Sequence, residues 1–296
     1  MKVLNYGSLN VDYVYSVDHI IVGGETQHSS KLEVFSGGKG LNQSIALAKA
    51  GVPVYHAGIV GTDGDILLEA CKEAGVNTKY IRRLPVKGGH TMIQVDKNAQ
   101  NCIILYGGTN QMQTKEFVDE VLADFGEGDY LILQNEINML DYIIDQAYEK
   151  KMKIVMNPSP FDDKLSTCDL SKVYLFLVNE IEGEQITGCK DKDQILDAMA
   201  AKFPNARFVL TLGSDGAVYY DGKEKVFQDI FKVKAVDTTA AGDTFTGYFI
   251  AAVIEGRSIQ EALRMAAKAS SIAVSRPGAT PSIPIAVEVK KELGML

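Results

Sequence analysis

The sequence predicts an α/β fold in which helices cover both faces of a doubly wound, mostly parallel sheet. Two observations predict it: short apolar runs alternate with amphipathic helical patterns, and 296 residues at 46% hydrophobic content suit one large domain or two small ones. The runs expected to form buried parallel strands are residues 3–6, 54–60, 130–133, 153–156, 175–178 and 208–212. Ligands of such sheets bind at the carboxyl ends of the strands, so the functional loops are expected there.

The amphipathic patterns between these runs predict helices over residues 40–49, 64–74 and 114–125. Gly51 and Gly75 follow the first two patterns. Glycine at this place is typical of a helix end, because it adopts the left-handed conformation readily.

Four further runs have strand character but are arranged as hairpins instead of βα units. They are residues 13–17, 31–35, 91–95 and 102–106. They predict a small β-sheet that extends from the main body and covers a ligand as a lid. Extra edge strands of the main sheet are the alternative.

Charge and cysteine usage narrow the class of protein. The net charge of −8, from 30 Lys and Arg against 38 Asp and Glu, argues against a nucleic-acid partner but does not exclude small anionic ligands. The cysteines lack CxxC or Cys/His spacing, which argues against a zinc site and a disulfide framework. With no signal-peptide pattern and no apolar run of membrane-spanning length, we expect a cytoplasmic protein without a membrane partner.

A turn of small residues leads into a helical pattern near the end of the chain. Ala240, Ala241 and Gly242 have so little bulk that an anion could approach the unpaired N–H groups at the positive end of the helix. Asp243 follows directly, and it would face a bound phosphate as a base. An Asp at a helix start is also a common cap, so both roles stay open.

Two other turns carry polar side chains that suit a ligand rich in hydroxyl groups. Residues 36–43 combine three glycines with Lys39 and Asn42, without the GxxxxGK and Ser or Thr of a Walker A loop. Asn10 and Asp12 are two apart, so in an extended chain they point to one side and could bind vicinal hydroxyls. A solvated glycine-rich turn and an Asx-capped strand end are the alternatives.

The order of these motifs resembles that of the ribokinase-like (PfkB) carbohydrate kinases over residues 3 to about 284. The matching segments are 10–12, 37–43, 157–158, 179–182, 211–216, 237–245 and 273–282. The resemblance implies a ribokinase-like three-layer α/β sandwich around a mostly parallel sheet, with a small β-sheet lid. It implies a single kinase domain over residues 1–296, with the lid formed by about residues 12–35 and 88–110.

The resemblance also implies an ATP-dependent sugar kinase, a phosphotransferase with an alcohol acceptor. The motifs are similar to those of the ribokinase branch, which implies D-ribose as acceptor and ribose 5-phosphate as product. Asp243 would be the catalytic base, and residues 240–242 would form the anion hole. The residues implied to hold the sugar are Asn10, Asp12, Gly38, Lys39, Asn42, Glu136 and Asp243.

ATP, Mg²⁺ and K⁺ are the implied cofactors. Nucleotide contacts are implied at Asn179, Thr211, Gly213, Ser214, Gly216 and Gly242. Asn179 and Glu182 match an NxxE element that would order Mg²⁺ through water. K⁺ is implied beside the anion hole, at Asp237, Thr239, Ala273, Arg276, Gly278 and Ser282. Related kinases pair through their lids, so a homodimer is implied as well.

The sequence departs from the family pattern around the lid. No proline precedes Gly23, which predicts a looser hinge. His90 and Gln94 replace small or apolar residues, and residues 106–110 form a bulkier loop. A nucleoside such as adenosine or pseudouridine, or a fructose-type sugar, is therefore an alternative substrate. A non-catalytic sugar-binding regulator is the alternative from another class, although such a binder has no need of Asp243.

Overall fold

The computed structural model describes residues 1–98 and 100–296, which contain two separate β-sheets. The strands are β1 (Val3–Tyr6), β2 (Asn10–Ser16), β3 (Lys31–Gly37), β4 (Tyr55–Val60), β5 (Asn77–Arg83), β6 (Gly89–Val95), β7 (Asn101–Tyr106), β8 (Tyr130–Gln134), β9 (Lys153–Asn157), β10 (Leu175–Asn179), β11 (Arg207–Thr211), β12 (Ala217–Tyr220) and β13 (Lys225–Gln228). The α-helices are α1 (Lys39–Lys49), α2 (Asp65–Ala74), α3 (Lys115–Leu122), α4 (Leu140–Glu149), α5 (Glu180–Thr187), α6 (Lys192–Lys202), α7 (Ala241–Ile254), α8 (Ile259–Val274) and α9 (Ala286–Glu292). Short 3-10 helices include Gly108–Gln111 and Gly213–Asp215.

The larger sheet has nine strands in the order β13-β12-β11-β10-β9-β8-β1-β4-β5. Neighbours from β11 to β5 are parallel, and β12 and β13 add an antiparallel edge. Successive residues of β1 enter different cores: Val3 packs with residues of α1, α7 and α8, whereas Leu4 packs with residues of α3, α4 and α6. A sheet covered by helices on both faces confirms the predicted three-layer fold.

Three strands of this sheet were missing from the sequence-based prediction. β5 reads NTKYIRR, in which Tyr80 is the buried residue, so it lacks an apolar run. β12 and β13, of four residues each, form a hairpin at the opposite edge. β5 and β13 are edge strands that carry charged residues, and β12 is an apolar strand of only four residues, AVYY, so none of the three gave the longer apolar run expected of a buried strand.

The smaller sheet has four strands in the order β3-β2-β6-β7. β2 and β3 are antiparallel, as are β6 and β7, and β2 pairs with β6 in parallel. The sheet is separate from the nine-stranded one, so the alternative of extra edge strands is wrong. Its four strands lie at the runs predicted for it, while its role as a lid stays a prediction.

Two close approaches position the segments that meet at the carboxyl end of β1. A Cβ at Gly40 would lie 2.4 Å from the backbone nitrogen of Ser8, so glycine is needed where α1 begins against the β1–β2 turn. A Cβ at Gly247 would lie 2.4 Å from Cβ of Ala46, so glycine also lets α7 pack closely on α1. The first turns of α1 and α7 are thereby brought together.

Among the described residues, no helix has both the length and the apolar character needed to cross a bilayer.

Candidate active site

Asp243 lies in the first turn of α7 and is 6% exposed. Its Oδ2 accepts a hydrogen bond from Asn42 Nδ2 at 2.9 Å, and its Oδ1 accepts one from Gln43 Nε2 at 3.0 Å. In the described part of the chain, these α1 side chains are its hydrogen-bond partners, and the N-cap residue of α7 is Ala240. Asp243 is therefore held by the neighbouring helix and does not serve as a cap.

The small residues before Asp243 form an open backbone turn. Ala240 adopts the left-handed conformation with φ 57°, and α7 begins at the next residue. Gly242 is exposed, and a Cβ placed on it would have open space around it. The first N–H groups of a helix have no intrahelical acceptor. They leave a positive, accessible surface beside the Asp243 carboxylate.

A cavity of about 250 Å³ joins this turn to residues of α1 and α5 that the sequence predicts for the site. Its lining includes Lys39 from α1, Asn179 and Glu182 from the start of α5, and residues 240–243. Burial lowers the pKa of Lys39, but the charges of Asp243, Glu136 and Glu182 outweigh it and raise that pKa above its usual value. Lys39 is therefore a permanent cation among carboxylates.

Asp12 and Glu136 place two further carboxylates at the junction of the two sheets. Burial raises the pKa of Asp12 to about 6, with a hydrogen bond from Thr91 opposing and the charge of Glu136 reinforcing the shift. Burial also raises the pKa of Glu136, against the charge of Lys39. Glu136 accepts hydrogen bonds from the Ser8 hydroxyl and, at 3.0 Å, from the Lys39 backbone N–H.

Asn10 and Asp12 share one face of β2, as their spacing predicted. The Asn10 Oδ1 accepts a hydrogen bond from Asn110 Nδ2 at 2.7 Å, and Asn110 is itself buried in the 3-10 helix after β7. Asp12 lies so close to the end of β3 that a Cβ on Gly37 would approach its Oδ2 to 1.9 Å. The small sheet therefore holds these two side chains at the site by packing as well as by hydrogen bonds.

Asn42 has one buried polar atom without a partner among the described residues. Its Nδ2 is used by Asp243, whereas its Oδ1 is buried and unpaired. An unsatisfied buried acceptor is costly, and a ligand hydroxyl would satisfy it.

Asn179 and Glu182 form a complete capping box at the start of α5. Asn179 Oδ1 accepts from the Glu182 N–H at 2.9 Å, and Glu182 Oε2 accepts from the Asn179 N–H at 3.0 Å. The Asn179 Nδ2 also donates to Glu182 Oε1 at 3.1 Å. A carboxylate offers about four lone-pair sites, so Glu182 retains acceptor capacity toward the cavity.

Five of the six residues predicted to bind the nucleotide line a second, larger cavity of about 790 Å³, whereas Asn179 lines the smaller one. Thr211, Gly213, Ser214 and Gly216 form one wall where β11 ends, and Phe245 and residues of α8 form another. Gly216 has φ 98°, and a Cβ there would lie 2.2 Å from the Gln228 carbonyl oxygen. This cavity and the smaller one share Thr211, Thr238, Ala241 and Gly242, so the start of α7 borders both.

Asp237 connects the turn before α7 to the loop after α8. Its Oδ1 accepts from the Thr239 N–H and its Oδ2 from the Gly278 N–H, each at 2.9 Å. Burial opposes these bonds, yet they lower the pKa of Asp237. Other residues predicted for the cation bond to one another or to nearby groups. The Arg276 N–H donates to the Ala273 carbonyl at 3.0 Å, and the Arg276 guanidinium pairs with Glu288. The Ser282 hydroxyl donates to Ala279 O at 2.7 Å.

In strand β6 of the small sheet, the residue that contacts Asp12 is Thr91, the neighbour of the His90 that the sequence singled out. His90 pairs with Val11, and its ring packs against Tyr106 with centroids 5.0 Å apart. Successive strand residues point to opposite faces, so Thr91 lies on the Asp12 face and His90 on the other. The Thr91 hydroxyl donates to Asp12 Oδ1 at 2.6 Å. Thr91 was missed because a single hydroxyl in a strand gives no motif.

Ser8, Asn110 and Gln43 were also missed as members of the site. Ser8 and Asn110 act through contacts with Glu136 and Asn10, which are distant in sequence. Gln43 stands within the glycine-rich motif, but nothing in its spacing indicates a bond to Asp243, 200 residues later.

Comparisons with known proteins agree with this fold. Residues 1–286 match the model of the pfkB family carbohydrate kinases. The chain is 34% identical over 291 residues to a ribokinase of Haemophilus influenzae, covering 94% of each chain. Fold and site together define a phosphotransferase that acts on a sugar hydroxyl. The chain belongs to the pfkB family of carbohydrate kinases.

Two solved structures extend the comparison to the whole fold. A ribokinase from Thermotoga maritima superposes with a TM-score of 0.87 at 33% identity, covering 99% of both chains. An Arabidopsis thaliana ribokinase complexed with ribose and ATP superposes with a TM-score of 0.86 at 29% identity, covering 99% of this chain and 98% of that one.

Proposed function

We propose that this enzyme transfers the γ-phosphoryl group of ATP to the terminal hydroxyl of D-ribose. The observation that carries the proposal is the position of Asp243, between a hydroxyl-binding cluster and a nucleotide-sized cavity at the start of α7. Related ribokinases over nearly the whole chain, one of them complexed with ribose and ATP, support ribose as the acceptor.

The sugar would lie where the small sheet meets α1. Asp12, Asn10 and Asn42 supply acceptors and donors for ring hydroxyls, and the orphaned Asn42 Oδ1 is satisfied by such a ligand. The positive Lys39 and the carboxylate of Glu136 complete the set, with Gly38 allowing close backbone approach at φ 94°. Alternating charges of this kind suit a neutral polyol better than an anion.

Asp243 would take the proton of the terminal hydroxyl as that oxygen attacks the γ-phosphorus. The new bond joins the sugar oxygen to phosphorus, the bond from phosphorus to the β-γ bridging oxygen breaks, and ADP leaves. The backbone N–H groups of residues 240–242 would stabilise the charge on the transferring phosphoryl group. Because little covalent chemistry falls to the protein, positioning of these groups dominates.

Mg²⁺ would be held near Glu182 and Asn179. In the described residues no three His, Cys, Asp or Glu side chains cluster as a metal site. One buried carboxylate with spare lone pairs fits an ion that keeps several waters and binds mainly to ATP phosphates. When bound, Mg²⁺ neutralises phosphate charge.

K⁺ would bind beside the anion hole, with Asp237 and the loop after α8. The Asp237 carboxylate and the carbonyls of Thr239, Ala273, Arg276 and Gly278 are oxygen donors of the type this cation needs, and the Ser282 hydroxyl adds another. Asp237 already ties the turn at Thr239 to Gly278. A cation there would order the turn that carries the anion hole, so we expect K⁺ to stimulate turnover.

The segments 12–35 and 88–110 would act as a lid within one kinase domain of residues 1–296. On the sheet face away from Asp12, Leu32, Val34, Met92 and Ile104 are all more than two-fifths exposed. A second copy of the chain would cover this apolar face, since exposed patches of this kind mark interfaces. Light scattering of the wild type and of Ile104→Lys tests the homodimer, and a monomeric wild type would refute it.

The first test is a coupled ADP-release assay with Mg-ATP and ribose, deoxyribose, fructose, adenosine, uridine or pseudouridine, with K⁺ or Na⁺. We expect K⁺-stimulated turnover with ribose. Turnover with a nucleoside alone would keep the mechanism and change the substrate. Tight ribose binding without turnover would contradict the kinase proposal and favour a regulator.

A further inference from the structure

Behind Asp243 lies a chain of buried amide side chains that the proposed chemistry does not use directly. Asn5, Gln43 and Gln134 are each 0% exposed, and we define them as the amide chain. They come from β1, α1 and β8, the elements at the centre of the fold. Buried amides in such numbers are costly unless their hydrogen bonds have a consistent direction.

Gln43 uses its whole amide group. Its Nε2 donates to Asp243 Oδ1 at 3.0 Å and to Asn157 Oδ1 at 3.2 Å, and its Oε1 accepts from Gln134 Nε2 at 2.7 Å. A flipped Gln43 would place its oxygen against two acceptors. The chemistry of its neighbours therefore allows one orientation.

Backbone carbonyls fix that orientation from two sides. Asn157 Nδ2 donates to Leu177 O at 3.0 Å, which makes its Oδ1 the acceptor for Gln43. Asn5 Nδ2 donates to Gly40 O at 2.8 Å, which makes its Oδ1 the acceptor for Gln134 Nε2 at 3.1 Å. Because a carbonyl oxygen only accepts, each amide inherits its direction from a fixed backbone group.

The hydrogen bonds at the Asn5 end of the amide chain run in the same direction. Asn5 Nδ2 also donates to Ser44 Oγ at 2.9 Å, and the Ser44 hydroxyl donates to His56 Nδ1 at 2.8 Å because the other ring nitrogen faces a carbonyl and must carry the proton. His56 Nε2 then donates to Gly7 O at 3.3 Å. Burial lowers the pKa of His56 to about 4, in keeping with a neutral ring that accepts at Nδ1.

We propose that Gln43 is a positioning residue for phosphoryl transfer, and that the amide chain aims its N–H donor at the Asp243 base. The inference rests on the proposed function. Asn42, which holds the other oxygen of Asp243, is also assigned to the sugar. Because Asn42 is shared with the sugar, Gln43 is the donor whose position does not depend on the substrate, and it keeps the carboxylate aimed at the reacting oxygen.

The test replaces Gln43 by Met, which is similar in length and cannot donate. We expect kcat to fall about 10- to 100-fold, the effect of losing one hydrogen bond to a charged group, with the KM for the sugar changed less than about twofold. Gln134→Met should lower kcat by a smaller factor and add nothing in the Gln43→Met background, because it acts through Gln43.

Gln113→Met is the matched control. Gln113 is also a buried glutamine, 4% exposed, but it bonds the Tyr6 hydroxyl at 3.2 Å and has no contact with Asp243. Its Nε2 is unpaired among the described residues, so we expect this variant to fold and to keep its kcat. A loss of kcat there as large as in Gln43→Met would overturn the proposal, because any buried glutamine would then have the same effect.

A crystal structure of Gln43→Met separates this inference from the proposed function. We expect the Asp243 carboxylate to leave its present rotamer. An unmoved carboxylate, or an unchanged kcat in an active enzyme, would overturn the positioning role. If the wild type turns over none of the sugars, the proposed function fails. The position of the Asp243 carboxylate in Gln43→Met then decides whether the amide chain orients it.

Discussion

Asp243 and Asp12 are both carboxylates of one candidate site, yet the structure holds them in different ways. Asp243 starts a core helix and receives an amide donor on each oxygen, one of which leads into the amide chain. Asp12 lies on the small sheet and receives one hydroxyl donor, from Thr91. The proposed base is thus built into the interior of the nine-stranded fold, whereas the carboxylate proposed to bind the sugar is carried by the small sheet.

This difference has a physical consequence for each function. Proton abstraction, the role proposed for Asp243, needs a fixed direction, and one donor to this carboxylate, Gln43, is oriented by amides that backbone carbonyls hold in place. Sugar binding, the role proposed for Asp12, needs access, and the small sheet is largely exposed at its outer strands β3 and β7. We therefore expect changes at Asp243 to affect turnover and changes around Asp12 to affect affinity.

The largest expected effect is that of Asp243→Asn. The base is lost while the shape and one of the two hydrogen bonds from α1 are retained, because the Asn amide has a single acceptor oxygen, so kcat should fall by about 10²- to 10⁴-fold. Isothermal titration calorimetry should show that ribose and ATP still bind. Comparable loss of binding would show that Asp243 serves recognition and would remove the contrast with Asp12.

Asp12→Ala should affect sugar affinity instead of turnover. Losing hydrogen bonds from sugar hydroxyls to a charged group should raise the sugar Kd about 10- to 100-fold, with the ATP affinity unchanged. Calorimetry with each ligand measures both values. An unchanged Kd for ribose would remove Asp12 from the sugar site.

Asp12→Asn should stabilise the protein at neutral pH. Burial raises the pKa of Asp12 from 3.8 to about 6, so the folded state binds the proton more tightly than the unfolded state does. The stability of the wild type should therefore decrease as pH rises from 4 to above 6, and Asn avoids this cost of about 3 kcal/mol. Urea unfolding should show a gain at pH 8 that disappears near pH 3.5. A gain of the same size at both pH values would refute a contribution from ionisation.

The sequence was sufficient for the fold class and for locating the motifs, because apolar periodicity and glycine-rich turns are local signals. Residues 240–243 and Asn10 with Asp12 could be predicted for this reason. Thr91, Ser8 and Gln43 could not, since each acts through a contact made across the tertiary structure. The sequence singled out His90 because it departs from the family pattern, but its neighbour Thr91, on the opposite face of the strand, contacts Asp12.

Thr91→Val gives the smallest expected effect and tests how much the small sheet contributes. Valine keeps the β-branched shape and removes the hydroxyl that donates to Asp12 Oδ1. Because that bond lowers the pKa of Asp12, its loss should raise the pKa further and weaken ribose binding about three- to tenfold at pH 6.5. The loss should shrink at pH 8.5, where the carboxylate is ionised in both proteins. Thr91→Ser, which retains the donor, is the control, and calorimetry at both pH values is the measurement. Equal weakening of ribose binding at the two pH values would mean that Thr91 acts by its shape. Asp12 would then be held by packing within the small sheet as firmly as Asp243 is held by its hydrogen bonds.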